Sequence, residues 1–421
     1  MRKLIFLSIF AIVICMASCT KDTGVGESSE AVAINQIEPQ SESGDIIADQ
    51  YIITFKESYI KPASSYVDVS QVKDRDDKAN TIKEYIPGIE SQIEEFLLDN
   101  NIDLESILFK YSVINAGVAL KLTPEQFKMI SALPIVESIE YNRKQMLPDF
   151  KVEDTQENKA AQTTTCAITN AGGAGVASAG KWIWIIDTGI AFNHADLNVM
   201  ESSPYAKSFV GGTAEDCHGH GTHVAGITAA IDNNYGVIGM APGALVIPVR
   251  VFDCNGGSGS TANIIAALDH VKTYDIAGDV VNMSLGGYYG TNCSSNSPYK
   301  SAVQSLGNDG TWVVSAAGND YGANAGYVQP GCVNGNKVLT IASMDCNKSF
   351  SAFSNVGIGP IDWIATGGSV YSTYLNGGYA TLSGTSMATP VVAGICQVKN
   401  NYPTYGGAVL KNGLYYSIAK K

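Results

Sequence analysis

Ser386 lies among small residues in the stretch Gly384 to Pro390, at the start of a predicted helix. A serine hydroxyl becomes a nucleophile only when a neighbouring base takes its proton, so this serine requires a histidine and an orienting acid. The sequence contains five histidines, all of which precede Ser386, and no Asp, Glu or His follows it. The order acid, histidine, serine is therefore possible, and the order serine, acid, histidine of the α/β-hydrolases is excluded.

The candidate acid is Asp187, which follows the apolar run 182–186 and precedes Thr188 and Gly189. These residues predict a carboxylate at the end of a strand, where glycine lets the chain turn. Asp-Thr-Gly is also the signature of aspartic proteases, which need a second carboxylate to share one proton. The other Asp-Thr-Gly, at 22–24, lies in a polar segment with no strand before it. This alternative is therefore disfavoured.

The candidate base lies in the stretch 218–226, which holds three of the five histidines. A zinc site is an alternative, because imidazoles bind metals and Cys217 is adjacent. However, His220 and His223 flank a Gly-Thr pair at an apparent helix start, where a spacing of one turn tends to bury the second ring. We expect His223 to be structural and His220 to be the base, with His218 as a weaker second candidate.

The residues from 160 onward alternate apolar runs of strand length with small-residue helical stretches. The main runs are Trp182 to Ile186, Val224 to Ala230, Leu245 to Phe252, Ala262 to Val271, Val280 to Ser284, Lys300 to Leu306, Trp312 to Ala316 and Val338 to Ser343. Continuous apolar strands indicate burial on both faces, which predicts an α/β fold with a doubly covered parallel sheet. Sites in such sheets lie at the carboxyl ends of strands, where Asp187, Ser284 and Asn319 fall.

The region before residue 145 has a different pattern. Its predicted elements are a strand at Tyr51 to Lys56, a helix opened by Pro87, strands at Leu108 to Ile114 and Gly117 to Leu122, a helix after Thr123, and a strand at Val136 to Tyr141. The order β-α-β-β-α-β predicts a small ferredoxin-like α+β unit. Residues 20 to 48 are polar and aperiodic, which predicts a tether.

The charge balance excludes one class of partner. The net charge is −13, and residues before Ala160 carry 16 Lys and Arg against 26 Asp and Glu. Neither part of the chain is basic, so neither resembles a surface that neutralises the phosphates of nucleic acids.

The first residues predict export. Arg2 and Lys3 precede the apolar run 4–14, which fits a signal peptide. Met16 to Cys19 resembles a lipobox, with Cys19 as the lipidated residue; ordinary signal-peptidase cleavage nearby is the alternative. Either route leads to an oxidising compartment, where the later cysteines can pair. They are Cys166, Cys217, Cys254, Cys293, Cys332, Cys346 and Cys396.

Three motifs, taken in order, resemble the subtilisin family of serine proteases (peptidase family S8). They are Asp187 to Ile190, His220 to Gly226 and Gly384 to Pro390, and their local sequences are most similar to those of the proteinase K and aqualysin branch. The resemblance implies a three-layer subtilisin-like fold with a mostly parallel sheet. It also implies an Asp187-His220-Ser386 triad, with the Asn319 amide and the Ser386 N–H as the oxyanion hole.

The resemblance further implies several binding residues. Substrate backbone would pair with two extended segments, here called the substrate walls. The first wall is Gly257, Ser258 and Gly259, and the second is Ser284, Leu285 and Gly286. Ala317 and Gly318 form a third short segment that would also bind substrate. A structural calcium ion would be held by Asp196, Ile231, Asn233, Tyr235 and Val237, with Gln162 as a possible further ligand. A disulfide between Cys217 and Cys254 is also implied.

Together these expectations describe a secreted serine endopeptidase made as an autoprocessed zymogen. The expected segments are a signal peptide with lipobox at 1–19, a tether at 20–48, an inhibitor I9-type propeptide domain at 49–145, a cleavage linker at 146–159 and a catalytic domain at 160–421. The expected partners are polypeptide substrates and the chain's own propeptide, with no nucleic acid, and with membrane contact only through a lipid on Cys19. We expect a monomer, with an outer-membrane lipoprotein precursor possible and a mature enzyme outside the cell or at its surface.

Two features depart from the family pattern. Val391 stands where the family usually has histidine, and the closing strand and helix are not recognisable in the 35 residues after Ser386. These departures leave open a non-catalytic binding protein. Within the enzyme class, peptide ligation instead of hydrolysis is a further alternative.

Overall fold

A four-stranded antiparallel sheet and two helices make up the N-terminal part of the computed structural model, which describes residues 43–68, 72, 74–147, 155–156, 161–254, 257–290, 293 and 297–421. The elements of this part are β1 (Ile46–Phe55), α1 (Arg75–Asp99), β2 (Ile107–Tyr111), β3 (Gly117–Lys121), α2 (Pro124–Ile130) and β4 (Val136–Met146). The strand order β2-β3-β1-β4 with antiparallel pairing is that of a ferredoxin-like unit.

Strand β1 begins before the predicted boundary at residue 49. Ile46 pairs with Arg143, and the Gly44 N–H donates to the Lys144 carbonyl at 2.8 Å. Residues 46–48 therefore belong to this sheet and not to the tether. Cys19 and the signal segment lie outside the described residues.

The prediction that Pro87 opens the first helix was wrong. Helix α1 begins at Arg75, where the Asp74 carboxylate accepts hydrogen bonds from the N–H groups of Asp76 and Asp77 at 2.8 and 3.1 Å. Pro87 lies inside the helix, where it lacks one donor. The early turns were missed because Arg75 and Lys78, which are buried there, are not apolar.

The remaining strands and helices follow in chain order. They are β5 (Thr155–Gln156), α3 (Cys166–Asn170), β6 (Ile183–Asp187), β7 (Lys207–Ser208), α4 (His220–Ala229), β8 (Val246–Arg250), β9 (Ser258–Ser260), α5 (Thr261–Tyr274), β10 (Val280–Met283), β11 (Gly287–Tyr288), α6 (Pro298–Asn308), β12 (Trp312–Ala316), β13 (Val328–Gln329), β14 (Val338–Met344), β15 (Trp363–Thr366), β16 (Val370–Thr373), β17 (Tyr379–Leu382), α7 (Thr385–Lys399), β18 (Thr404–Lys411) and β19 (Leu414–Lys420).

Nine strands of the described residues form one sheet, in the order β18-β19-β15-β14-β12-β10-β6-β8-β7. All neighbours in it pair in parallel except β18 and β19. Alternate residues of β6 enter different cores: Ile183 and Ile185 pack with α4 and α7, whereas Trp184 and Ile186 pack with α5 and α6. Helices thus cover both faces, which confirms the predicted three-layer, mostly parallel fold.

The chain ends in the β18–β19 hairpin. Strand β19 joins the edge of the sheet by pairing with β15, and it buries Tyr416 and Ile418. The hairpin therefore provides the closing element that the sequence did not reveal.

Helix α5 is one of the elements that contact the N-terminal part. Its Asp269 carboxylate accepts hydrogen bonds from the N–H groups of Ser112, Val113 and Ile114, at distances from 2.7 to 3.2 Å. Burial raises the pKa of Asp269 to about 6, although the three N–H groups favour its ionised form.

No helix in the described part of the chain is long and apolar enough to cross a membrane.

Candidate active site

Three neighbouring elements bring the predicted catalytic residues to one edge of the sheet. Asp187 is the last residue of β6, His220 is the first residue of α4, and Ser386 lies in the first turn of α7. All three are buried, and Ser386 retains 2% of its exposure. The carboxyl ends of parallel strands meet at this edge, where sites in such sheets form.

Asp187 and His220 form a direct pair. The His220 Nδ1 lies 2.8 Å from Asp187 Oδ1 and 3.0 Å from Oδ2. The Thr188 N–H donates to the same carboxylate at 2.7 Å. With both carboxylate oxygens on Nδ1, the ring carries its hydrogen there and offers Nε2 as the basic atom.

The start of α4 depends on Asp216, which the sequence reasoning missed. Its carboxylate accepts from the N–H groups of His218, Gly219 and Thr222, each at 2.9 Å, and from the hydroxyls of Thr188 and Thr222. These bonds satisfy free donors at the helix start and tie it to the loop after Asp187. The sequence signal for this capping role is an acidic residue four positions before the first helical residue, His220.

Gly221 has a steric reason to be glycine. A Cβ atom there would lie 2.1 Å from the Gly189 carbonyl oxygen and 3.2 Å from the Asp187 side chain. The close approach of the two segments is what permits the pairing of Asp187 with His220.

The other histidines have structural contacts. The His223 Nε2 lies 3.0 Å from the carbonyl oxygens of Val370 and Ala380, and burial lowers the pKa of His223 to about 3. Burial likewise lowers the pKa of His270 to about 4. Cys217 is bonded to Cys254. Among the described residues no group of three His, Cys, Asp or Glu is placed to hold a metal, which disfavours the zinc alternative.

Ser386 and Ser284 bind one another across the site. The Ser386 hydroxyl donates to the Ser284 carbonyl at 3.0 Å, and the Ser284 hydroxyl donates to the Ser386 carbonyl at 2.8 Å. Ser284 follows β10, so this exchange fixes the serine turn against the neighbouring strand end.

Asn319 is oriented by Thr385. Its Oδ1 accepts from the Thr385 N–H at 2.9 Å and from the Thr385 hydroxyl at 2.8 Å. These two donors assign the oxygen of the amide, so Nδ2 points away from them. A Cβ on Gly384 would lie 3.1 Å from Nδ2, so this nitrogen lies beside the chain that enters Ser386. An amide donor there suits an oxyanion that forms next to the serine.

We expect the change Asn319→Ala to lower kcat about 10²- to 10³-fold with little change in KM, the range known for the corresponding donor of subtilisin itself. The donor would act mainly on the charge that develops in the transition state, so binding of the uncharged substrate changes less. Steady-state kinetics on a peptide substrate measure both constants. Thr385→Val, which keeps the N–H but removes the orienting hydroxyl, should cost less; a kcat within tenfold of wild type for Asn319→Ala would contradict the role.

The predicted substrate walls contact residues of the same chain. Strand β9 pairs antiparallel with β4, with Gln145 opposite Gly259 and Met146 opposite Ser258. The Leu147 N–H donates to the Gly257 carbonyl at 3.1 Å. The end of β4 therefore lies where an extended peptide would add a strand.

The second wall is contacted by Ser43. Its hydroxyl donates to the Gly286 carbonyl at 3.3 Å and accepts from the Met146 N–H at 3.1 Å. Leu285 and Ala317 are buried, and Gly318 has a φ of +99°, in the region that favours glycine. The structure thus brings the 257–259 segment against residues 145–147 and links Gly286 to Met146 through Ser43, and among the residues it describes it shows no such contact for Ala317 or Gly318.

Three of the predicted calcium ligands, Ile231, Asn233 and Val237, meet at Gln162. Its Nε2 lies 2.8 Å from the Ile231 carbonyl oxygen, 3.3 Å from that of Val237 and 3.5 Å from Asn233 Oδ1. A 180° rotation of the Gln162 side-chain amide would place Oε1 where Nε2 lies, next to the same three oxygens.

Asp196 lies beside this oxygen cluster and accepts from Asn233 Nδ2 at 2.7 Å. Burial raises the pKa of Asp196. The Tyr235 N–H donates to Asn233 Oδ1 at 2.9 Å, which closes the turn around the cluster. Carbonyl, amide and carboxylate oxygens are the donors that Ca²⁺ prefers, so the residues present fit this ion.

Three disulfides join the described cysteines. Cys217 and Cys254 are bonded with their Cα atoms 5.3 Å apart, next to the start of α4. The other pairs are Cys166–Cys346 and Cys293–Cys332, which the sequence did not predict. Cys396 is buried and unbonded.

Several known proteins have sequences similar to this chain. The Subtilase family profile matches residues 178–419. M-protease of Shouchella clausii is 32% identical over 342 residues, which are 79% of this chain and 82% of that protein. Thermitase of Thermoactinomyces vulgaris is 40% identical over 226 residues, 51% of this chain and 73% of that protein. A solved cold adapted subtilisin-like serine proteinase is 35% identical, covers 53% of this chain and 77% of its own, and has a TM-score of 0.47.

The family profile and the sequence relatives define a serine endopeptidase. The chain belongs to the subtilase family, as the three motifs indicated, and is a subtilisin-like serine protease.

Proposed function

We propose that the chain is the precursor of a secreted endopeptidase that hydrolyses peptide bonds through Asp187, His220 and Ser386. The observation that carries this proposal is the buried Asp187–His220 pair, with a shortest distance of 2.8 Å, at the sheet edge that also holds Ser386 and Asn319. An acid and a base held together beside a serine are what nucleophilic catalysis requires.

The reaction follows from these positions. The Ser386 Oγ attacks the substrate carbonyl carbon while His220 Nε2 takes the hydroxyl proton, and Asp187 stabilises the imidazolium. The tetrahedral oxyanion receives hydrogen bonds from the Asn319 amide and the Ser386 N–H. His220 then returns the proton to the leaving amine, the C–N bond breaks and an acyl-enzyme remains. Water, deprotonated by His220, attacks the ester and releases the acid and Ser386.

Substrates would bind as an added strand. The backbone of residues 257–259 on one side and 284–286 on the other would pair with an extended polypeptide, and specificity would come from side-chain pockets. Residues 144–147 already pair with β9 in this manner. We therefore propose that residues 49–145, with the preceding strand residues, act as an intramolecular inhibitor, and that autoprocessing within 146–159 releases the catalytic domain 160–421.

Export would precede maturation. The signal segment directs the precursor out of the cytoplasm, and a lipid on Cys19 would anchor it on the inhibitor side of the cleavage. Cleavage would then free the mature enzyme into the medium or at the cell surface.

A fluorophosphonate probe tests the proposed function. Such a probe forms a bond to a serine only when that serine is activated, so mature wild type should be labelled and Ser386→Ala should not. A correctly matured wild type that takes no label would overturn the enzyme mechanism and favour a non-catalytic binding role. Mass spectrometry of digested peptides separates hydrolysis from ligation.

Calcium removal should lower stability. If Asp196, Ile231, Asn233, Tyr235, Val237 and Gln162 hold the ion, saturating Ca²⁺ binds the folded state, and chelation should lower the Tm by about 5–10 °C. Scanning calorimetry of the Ser386→Ala precursor with Ca²⁺ or chelator measures this without self-digestion. Asp196→Asn should shrink the difference, and Mg²⁺ should replace Ca²⁺ poorly. Equal Tm values in Ca²⁺ and chelator would reject the site.

A further inference from the structure

The guanidinium of Arg75 is enclosed by the end of α5 and by residues that immediately precede β6 and β10. Its Nη1 donates to Asp279 Oδ2 at 2.8 Å and to the Tyr274 carbonyl at 3.0 Å. Its Nη2 donates to Asp279 Oδ1 at 3.3 Å and to the Gly180 carbonyl at 3.1 Å. The Trp182 ring lies 3.4 Å from the guanidinium carbon. Every one of these partners lies between residues 180 and 279.

These contacts are specific for a guanidinium. A planar, forked donor matches a carboxylate with two parallel bonds, and its flat face stacks on an indole. An ammonium group cannot reproduce both features, because it is a point charge with no flat face. The side chain of Arg75 is 9% exposed and that of Asp279 is fully buried, so the interaction is shielded from water.

The pocket does not need Arg75 to hold its carboxylate. Asp279 also accepts from the Trp182 N–H at 3.0 Å, the Trp184 Nε1 at 3.1 Å and the Ile276 N–H at 3.3 Å. Three donors of the same part of the chain therefore fix Asp279, and the site is organised for a cation independently of the N-terminal part.

The pocket lies away from the catalytic edge. Trp182 immediately precedes β6, and Asp187 ends that strand. Five residues of strand span about 16 Å, so the pocket is at the amino end of the sheet. A ligand there would leave the catalytic cleft open.

A second cation on α1 provides a matched comparison. Lys78 lies one turn after Arg75, and its Nζ contacts Asp275 Oδ1 at 2.5 Å and the Asp275 carbonyl at 2.9 Å. This pair is also buried, but an ammonium lacks the forked geometry, and no ring of the described residues stacks on it.

We propose that Gly180, Trp182, Tyr274 and Asp279 form an arginine-binding exosite, which Arg75 fills in the precursor. On the maturation proposed above, departure of the N-terminal part empties the site. The mature enzyme then uses it to hold an arginine side chain of a polypeptide substrate outside the cleft.

The first test uses the full chain carrying Ser386→Ala, in which no cleavage occurs. Arg75→Ala removes one partner of a buried pair and should lower the Tm by roughly 10 °C. Ethylguanidinium at millimolar concentration should restore part of that loss with a saturable dependence, and ethylammonium should not. Lys78→Ala should lose stability without rescue by ethylguanidinium, because Arg75 still fills the pocket. Equal rescue of both variants, or of neither, would overturn the assignment.

The second test uses matured wild type, identified by fluorophosphonate labelling. N-acetylarginine amide should change tryptophan fluorescence saturably, whereas N-acetylcitrulline amide, which is isosteric but uncharged, should not. Trp182→Leu should lose the response and keep its labelling by the probe. A labelled enzyme that does not distinguish the two amides overturns the exosite alone. A chain that never matures keeps the pocket filled and overturns both proposals.

Discussion

Replacing Ser386 by alanine is expected to lower kcat about 10⁶-fold and to leave the precursor uncleaved, a loss of the size known for subtilisin itself. In the proposed mechanism the hydroxyl oxygen forms the bond to the substrate, so Asp187 and His220 would have nothing to activate without it. The Ser386 side chain is small and its hydroxyl makes one bond to the Ser284 carbonyl, so the fold should persist.

Peptide hydrolysis rates and gel analysis of the expressed chain measure the two effects. Ser383→Ala is the matched control, because it makes the same chemical change three residues earlier and, among the described residues, removes an acceptor for the Ser369 N–H. That control should mature normally. Cleavage of the Ser386→Ala precursor in a protease-free host would show that maturation needs another enzyme.

Replacing Asp187 by asparagine should lower kcat about 10⁴-fold near neutral pH, the size known for the equivalent change in another serine protease. An amide NH₂ in place of a carboxylate oxygen would face His220 Nδ1, which lies 2.8 Å away. The ring would then carry its hydrogen on Nε2, and Ser386 would lose its proton acceptor. KM should change little, because no substrate contact is lost.

Steady-state kinetics over a range of pH tests this expectation, with Asp216→Asn as the comparison. Asp216 binds the helix start and the Thr188 hydroxyl but does not contact His220 in any hydrogen bond described here. Asp216→Asn should lower the Tm, and it should lower kcat much less than Asp187→Asn does. If both variants lost activity equally while folded, Asp187 would have only a structural role.

The catalytic motifs and the parallel sheet could be predicted from the sequence because both depend on local patterns. Asp187, His220 and Ser386 each sit at the end or start of an element with a glycine nearby, and continuous apolar runs identify strands buried on both faces. The family match confirms the class that these patterns indicated.

Long-range pairings were not visible. Cys166 bonds to Cys346 across 180 residues, and nothing near either cysteine specifies its partner. The first turns of α1 were missed since they bury charged groups that meet opposite charges more than 190 residues away. The β18–β19 hairpin was missed because most of its residues are exposed or half-buried, so no continuous apolar run marks either strand.

Strand β4 joins the N-terminal part to the proposed catalytic domain, since it pairs with β1 on one side and with β9 on the other. While the linker is intact, these partners meet at the high effective concentration of a single chain. After cleavage at the proposed linker, the same contact becomes a meeting between two molecules. Under the proposed maturation, dilution would then act as the activating signal. A precursor cleaved in a crowded envelope would stay inhibited, and the same material would become active once it disperses.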